Sequence, residues 1–365
     1  MLPRGWTPER EVVDREIPVA THEFTLPPAD EAVVGKVQIV LAREEDTLSD
    51  LARLYNLGYE EIKRANPGVD PWLPGAGAEV VLPTQFVLPD APREGIILNL
   101  ASMRFFYYPP PVGDEPPKVI THPIGIGRVG WETPTGSTGV TYKSTDPTWW
   151  PPSSIRAEHK EMGDPLPPRV PPGPDNPLGK YVLGLGMEGY LIHGTNKPYG
   201  VGMRVSHGCI RLYPEDIEEL FERISVGTPV HIVDQPYLAG WSDGALYLEA
   251  HHPLEGDERD WKEGLVKLVE HAVARDGSPE PAVDWEKVEV VVRDGLGVPA
   301  TIYQRGAQRG TLRLAALPIK NQLPVGANWN GVVEIAEIPE SDRAAFFGQG
   351  DNGQEAEQEE SATAD

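Results

Sequence analysis

Glycine and proline make up about a fifth of this chain, which makes it rich in loops and turns. There are 38 glycines and 39 prolines among 365 residues, and both types tend to punctuate regular elements. Between residues 90 and 235 the pieces between the breakers are β-branched and aromatic. Residues 95–108 (Gly-Ile-Ile-Leu-Asn-Leu-Ala-Ser-Met-Arg-Phe-Phe-Tyr-Tyr) predict a hairpin of buried strands. Val119 to Ile126, Lys180 to Leu185, Gly189 to His193 and Pro229 to Val233 predict further strands, and only Pro214 to Ile224 carries a helical pattern, acidic and expected to be a solvated face. The stretch from Gly127 to Gly179 reads as one long loop of turn residues, including Trp149-Trp150. Loops of that length inside a domain usually carry function. The fold class is mainly β.

Residues 1–35 form a mixed leader with one alternating run, Thr21 to Leu26. Residues 36–89 have the order strand–helix–helix–strand: Lys36 to Leu41, a helix capped at Asp46-Thr47, a second from Tyr59 to Asn66 stopped by Pro67, and Glu79 to Pro83. Residues 236–338 read as a small α+β region, with a helix over Asp260 to Ala274 and strands at Lys287 to Val292 and Ala300 to Tyr303. Residues 339–365 read as a disordered acidic tail.

The net charge is −24, which excludes nucleic acid as partner, since phosphate binding needs a dominant basic patch. Residues 90–235 contribute only −4 of it. Cys209 is the single cysteine, so no intrachain disulfide and no multi-thiolate metal site can form. The adjacent pair His251-His252 diverges in direction, so neither a metal nor a cofactor is expected. No run of 18 apolar residues is present to span a membrane, and the N-terminus shows no signal peptide.

Leu191 to Leu212 concentrates the chemistry. It holds His193, Ser206, His207, Gly208 and Cys209, and from 189 to 214 it has three cations (Lys197, Arg204, Arg211) and no acid. A lone cysteine ordinarily reads as a small buried hydrophobe, and a lone histidine as a satisfied strand-end residue. Their clustering reverses that balance. A thiol next to an imidazole and among cations is expected to favour the thiolate and to attract an anionic substrate. Gly208 lets backbone N–H groups approach a developing oxyanion.

The stretch resembles the signature of the L,D-transpeptidase catalytic domain family: a histidine, about a dozen residues, then Ser/Thr-His-Gly-Cys and an Arg two positions on. Here these are His193, Ser206, His207, Gly208, Cys209 and Arg211. Pro123-Ile-Gly-Ile-Gly127, Glu132-Thr-Pro-Thr-Gly136, Pro174-Asp-Asn-Pro-Leu-Gly179 and Tyr190-Leu-Ile-His-Gly194 agree with it. Residues 36–83 in turn resemble a LysM module, a binder of N-acetylglucosamine-containing polymers, through Asp46-Thr47-Leu48, Leu51-Ala52, Asn66-Pro67 and Leu73-Pro-Gly75.

These resemblances imply a β-sandwich-like catalytic domain at 90–235, preceded by a βααβ LysM domain at 36–89 and followed by the α+β region. They imply Cys209 as acylated nucleophile, His193 as general base and acid, the Gly194 carbonyl as its orienter, and N–H groups of Gly208 and Cys209 as oxyanion donors. His207 and Arg211 would meet substrate carboxylates, with Ser206 in support. The implied substrate is a peptidoglycan tetrapeptide stem. The acceptor is a second stem, giving a 3→3 cross-link, or an outer-membrane lipoprotein. Alternatives are water as acceptor, giving a carboxypeptidase or endopeptidase, and a wall-binding scaffold with an inert thiol. The family further implies acylation by carbapenems and a periplasmic location; the missing export signal then implies a mature, trimmed or late-starting chain.

Overall fold

The computed structural model describes residues 7–10, 21–274, 283–305 and 313–323. The acidic tail at 339–365 and the first residues of the leader lie outside them. The centre is a nine-stranded sheet in the order Ile210–Arg211, Leu191–His193, Tyr181–Leu185, Gly136–Thr145, Pro229–Val233, Gly95–Asn99, Arg104–Tyr108, Lys118–Pro123, Glu23–Thr25. The hairpin Gly95–Asn99 and Arg104–Tyr108 is buried throughout, as its apolar run requires.

Gly136–Thr145 decides the architecture. Its first half, Gly136 to Gly139, pairs with Pro229–Val233, and its second half, Val140 to Thr145, pairs with Tyr181–Leu185. One strand thus belongs to two sheets, which curl around a shared core of Ile96, Leu98, Phe105, Val140, Leu183, Ile192 and Ile210. This strand corrects the expectation of a structureless loop from Gly127 to Gly179. Only Val140 of its ten residues is buried, so it lacks the apolar alternation by which a strand is recognised. The same stretch holds the helix Ser153–Glu161, with Ile155 as its single buried residue.

In the 36–89 segment, Val37–Leu41, Leu48–Leu54, Tyr59–Ala65 and Glu79–Leu82 give the expected strand–helix–helix–strand order. The side chain of Thr47 caps the first helix by accepting from Asp50 N–H at 3.1 Å. Arg313–Pro318 pairs in parallel with Val37–Leu41. Val37, Ile39, Ala65 and Val81 therefore share a core with Trp241, Leu248, Val269 and Val288 from beyond residue 236.

One further expectation is corrected there. Lys287 to Val292 is not a strand but part of the helix Trp285–Asp294, which is capped by Asp284 and stopped by Gly295 at φ 54°. Its valines mimic a strand, yet the buried pair Val288 and Val291 has helical spacing. The hairpin Tyr237–Ser242 and Ala245–Ala250 turns on Asp243-Gly244, both at positive φ; this dipeptide was its signal. In the acidic helix Pro214–Arg223, Glu215, Glu218 and Glu222 are exposed as expected of a solvated face, while Asp216 is buried 3.2 Å from His122.

Candidate active site

The strands Leu191–His193 and Ile210–Arg211 run in parallel, Ile192 opposite Ile210 and His193 opposite Arg211. Cys209 immediately precedes Ile210–Arg211, and the Leu191 N–H reaches its sulfur. Alternate residues of a strand share a face. With Ile192 and Ile210 turned into the core, His193 and Arg211 are left together on the other face. The expected base and cation thus come from two adjacent strands, the expected nucleophile sits just ahead of the second, and the Arg211 charge is felt by both His193 and Cys209.

His193 is buried, and its Nδ1 lies 2.6 Å from the Gly194 carbonyl oxygen. A carbonyl only accepts, so Nδ1 carries the proton and Nε2 presents its lone pair. Burial, seconded by the Arg211 charge, pushes the imidazole down to about 3, against the pull of the Gly194 and Leu178 carbonyls. The ring is therefore neutral near pH 7.

Cys209 is half-buried, its Sγ 3.6 Å from the Gly189 carbonyl oxygen. Burial pushes the thiol up, while the Leu191 N–H and Arg211 pull the other way and do not prevail. This corrects the expectation of a resting thiolate among cations. Desolvation of the sulfur outweighs the nearby charge, and the resting pair is a neutral thiol and a neutral imidazole.

The turn Ser206–Cys209 is held from inside and outside. Ser206 Oγ donates to the Cys209 carbonyl at 2.5 Å and accepts from Gly208 N–H at 3.2 Å. Gly208 sits at φ +100°, and a Cβ there would come 2.9 Å from the Tyr190 ring, so glycine is required. From outside, Thr133 Oγ1 donates to the Gly208 carbonyl at 2.8 Å and accepts from Gly127 N–H at 3.2 Å. Thr133 was not among the expected site residues, although it lies in Glu132-Thr-Pro-Thr-Gly136.

His207 turns toward the helix Ser153–Glu161. Its Nε2 is 2.9 Å from Glu158 Oε2 and 3.1 Å from Arg128 Nη2, and the Trp131 ring meets it edge-on at 4.9 Å. Arg128 also pairs with Glu158 directly. Hydrogen bonding from Arg128, then from His207, holds the Glu158 carboxyl below its ordinary value, and burial lowers His207. The site is thus not lined by cations alone: Glu158 enters from 49 residues away, and no local pattern marks it or Arg128. Arg204 reaches the Gly127 carbonyl at 3.4 Å, and Lys197 is exposed. Trp149 is tied by backbone bonds to Val170, while Trp150 is exposed. His251 pairs with Glu249 at 2.7 Å. No group of three or more His, Cys, Asp or Glu that could hold a metal occurs among the described residues, nor is any helix there long and apolar enough to cross a membrane.

Comparison with known proteins places the same segment in focus. Residues 93–232 match the family model of the L,D-transpeptidase catalytic domain. The chain is 38% identical over 302 residues to the probable L,D-transpeptidase YcfS of Escherichia coli K12, covering 81% of this chain and 93% of that protein. It is 39% identical over 284 residues to YbiS of the same strain, also a probable L,D-transpeptidase, covering 76% and 91%. It is 42% identical over 290 residues to that strain's probable L,D-transpeptidase ErfK/SrfK, covering 78% and 92%. The likeness extends well beyond residues 93–232 on the chain.

Proposed function

This chain belongs to the L,D-transpeptidase family, and on that premise we propose that it transfers peptidoglycan stem peptides through a thioester on Cys209. The observation that carries this reading is Cys209 at the head of the strand that pairs with Leu191–His193, where a buried His193 has its Nδ1 tied to the Gly194 carbonyl.

The chemistry follows from a neutral pair. Cys209 Sγ attacks the carbonyl carbon between the third residue and the terminal D-alanine of a tetrapeptide stem as its proton passes to His193 Nε2. Gly208 N–H is already given to Ser206 Oγ, so Cys209 N–H is the main donor to the oxyanion. The C–N bond breaks and the His193 proton leaves with the D-alanine amine. An acceptor amine then gives a proton to His193 and displaces the thiol, which recovers its proton. Arg211, beside the reacting pair, offers a cation to the substrate carboxylate, and His207 and Ser206 hold the turn. Residues 36–89 bind the wall glycan as a LysM module. Such a substrate places the protein in the periplasm. A stem amine as acceptor gives a 3→3 cross-link; a lysine of an outer-membrane lipoprotein gives an anchored wall.

The test is incubation with disaccharide-tetrapeptide, with products read by mass. Dimers lacking one D-alanine are expected, together with a carbapenem adduct on intact protein. Both must vanish in Cys209→Ala. Tripeptide alone would mean water is the acceptor, and an unchanged substrate would leave only a binding role.

A further inference from the structure

The turn that carries Cys209 is bracketed by contacts with a segment distant in sequence. Gly58, at the start of the helix Tyr59–Ala65, abuts Gly202, in the loop between His193 and Cys209. A Cβ on Gly58 would lie 2.7 Å from Gly202 Cα, and one on Gly202 would lie 2.3 Å from Gly58 Cα. The first N–H groups of a helix lack acceptors within it; here Tyr59 N–H donates to the Val201 carbonyl at 3.2 Å and Glu60 N–H to the Gly202 carbonyl at 3.3 Å. On its other side the same loop is held by Ile126 N–H on the Met203 carbonyl at 3.0 Å. It then runs through Arg204–Ser206, paired with Ile126–Gly127, directly into the turn.

The chain leaves the turn onto the same segment. Tyr213 Oη donates to the Leu57 carbonyl at 3.1 Å, and Arg53 pairs bidentately with Glu215 at 2.7 and 2.9 Å. Glu61 is pinned to the central sheet by Arg104, a fully buried guanidinium 3.1 Å away. A tethered binding module needs none of this.

We propose that residues 53–61 of the βααβ segment are positioning residues of the transpeptidase site, which set the Cys209 turn by holding the loop before it at Val201–Gly202 and the chain after it at Tyr213–Glu215. The proposal rests on the thioester reading above and adds that turnover of a substrate with no glycan depends on this segment.

The test uses the full chain and a glycan-free tetrapeptide. Gly58 has φ −84° and ψ 156°, which alanine adopts readily, so Gly58→Ala meets an obstacle only in Gly202. Its kcat should fall about tenfold or more, as expected for a displaced nucleophile, with KM within about twofold. The pH profile of Cys209 alkylation should shift as well. Gly77→Ala is the control: Gly77 is at φ +79° with nothing within 4 Å, so alanine strains the segment away from the loop and should keep the wild-type kcat. Tyr213→Phe, which loses only the hydroxyl, should lower kcat in the same direction and decides the matter if Gly58→Ala does not fold. Wild-type kcat and alkylation profile in Tyr213→Phe and in any folded Gly58→Ala, or an equal loss in Gly77→Ala, would overturn the proposal. A wild-type protein that released no D-alanine would instead refute the thioester reading.

Discussion

Replacing Thr133 by valine keeps shape and volume but deletes the hydroxyl that clamps the nucleophile turn. That hydroxyl donates to the Gly208 carbonyl at 2.8 Å and accepts from Gly127 N–H at 3.2 Å, in a residue 7% exposed. Both backbone groups lose their partner at once, and each buried orphan costs about 1–3 kcal/mol, so the pair costs about 2–6 kcal/mol. Thr133→Ser retains the hydroxyl and sheds one methyl, worth about 1 kcal/mol. The urea midpoint should therefore fall clearly for the valine variant and only slightly for the serine variant, with similar slopes. Activity should follow, because Cys209 is the next residue after the released carbonyl. A shift of about 1 Å can cost about a hundredfold in rate, so single-turnover D-alanine release should drop to that order in Thr133→Val alone. Equal midpoints for the two variants, or an unchanged rate in Thr133→Val, would show that the clamp has no role.

Two pH experiments probe the electrostatics. Arg211 lowers both the Cys209 thiol and the His193 imidazole, so Arg211→Gln should move the alkylation profile of Cys209 to higher pH, and a shift to lower pH would contradict the assigned geometry. Glu158 is held below its ordinary value of 4.5. Its contribution to docking the helix Ser153–Glu161 is thus fully present above pH 4.5 and lost as pH falls through the lower folded value. Hydrogen-exchange protection factors in that helix should fall below pH 4.5 in the wild type, while Glu158→Gln, with no carboxyl there to protonate, should show no such step.

The parts of the fold that could be read from sequence are those whose signal is local. The hairpin at residues 95–108 is apolar at nearly every position, and Thr47 is a cap by chemistry alone. Gly136–Thr145 escaped because nine of its ten residues are not buried, so its strand character comes from its partners. Trp285–Asp294 was misread because β-branched residues outweighed the period that buries Val288 and Val291. At the site, the residues from Ser206 to Arg211 and His193 announce themselves by type and spacing. Thr133, within Glu132-Thr-Pro-Thr-Gly136, carries no local signal of its role, since its partner is 75 residues away.

The sequence by itself determined which groups are gathered in one stretch: one thiol, two histidines near it, a glycine that frees the backbone, and no acid. Tertiary structure decided what state those atoms are in and what holds them. The protonation of Cys209 and His193 depends on how much water the packed sheet removes, a collective property that no spacing encodes. The clamps from Thr133, Glu158 and the Gly58–Gly202 contact join residues far apart in the chain, and only the closing of the fold brings them together.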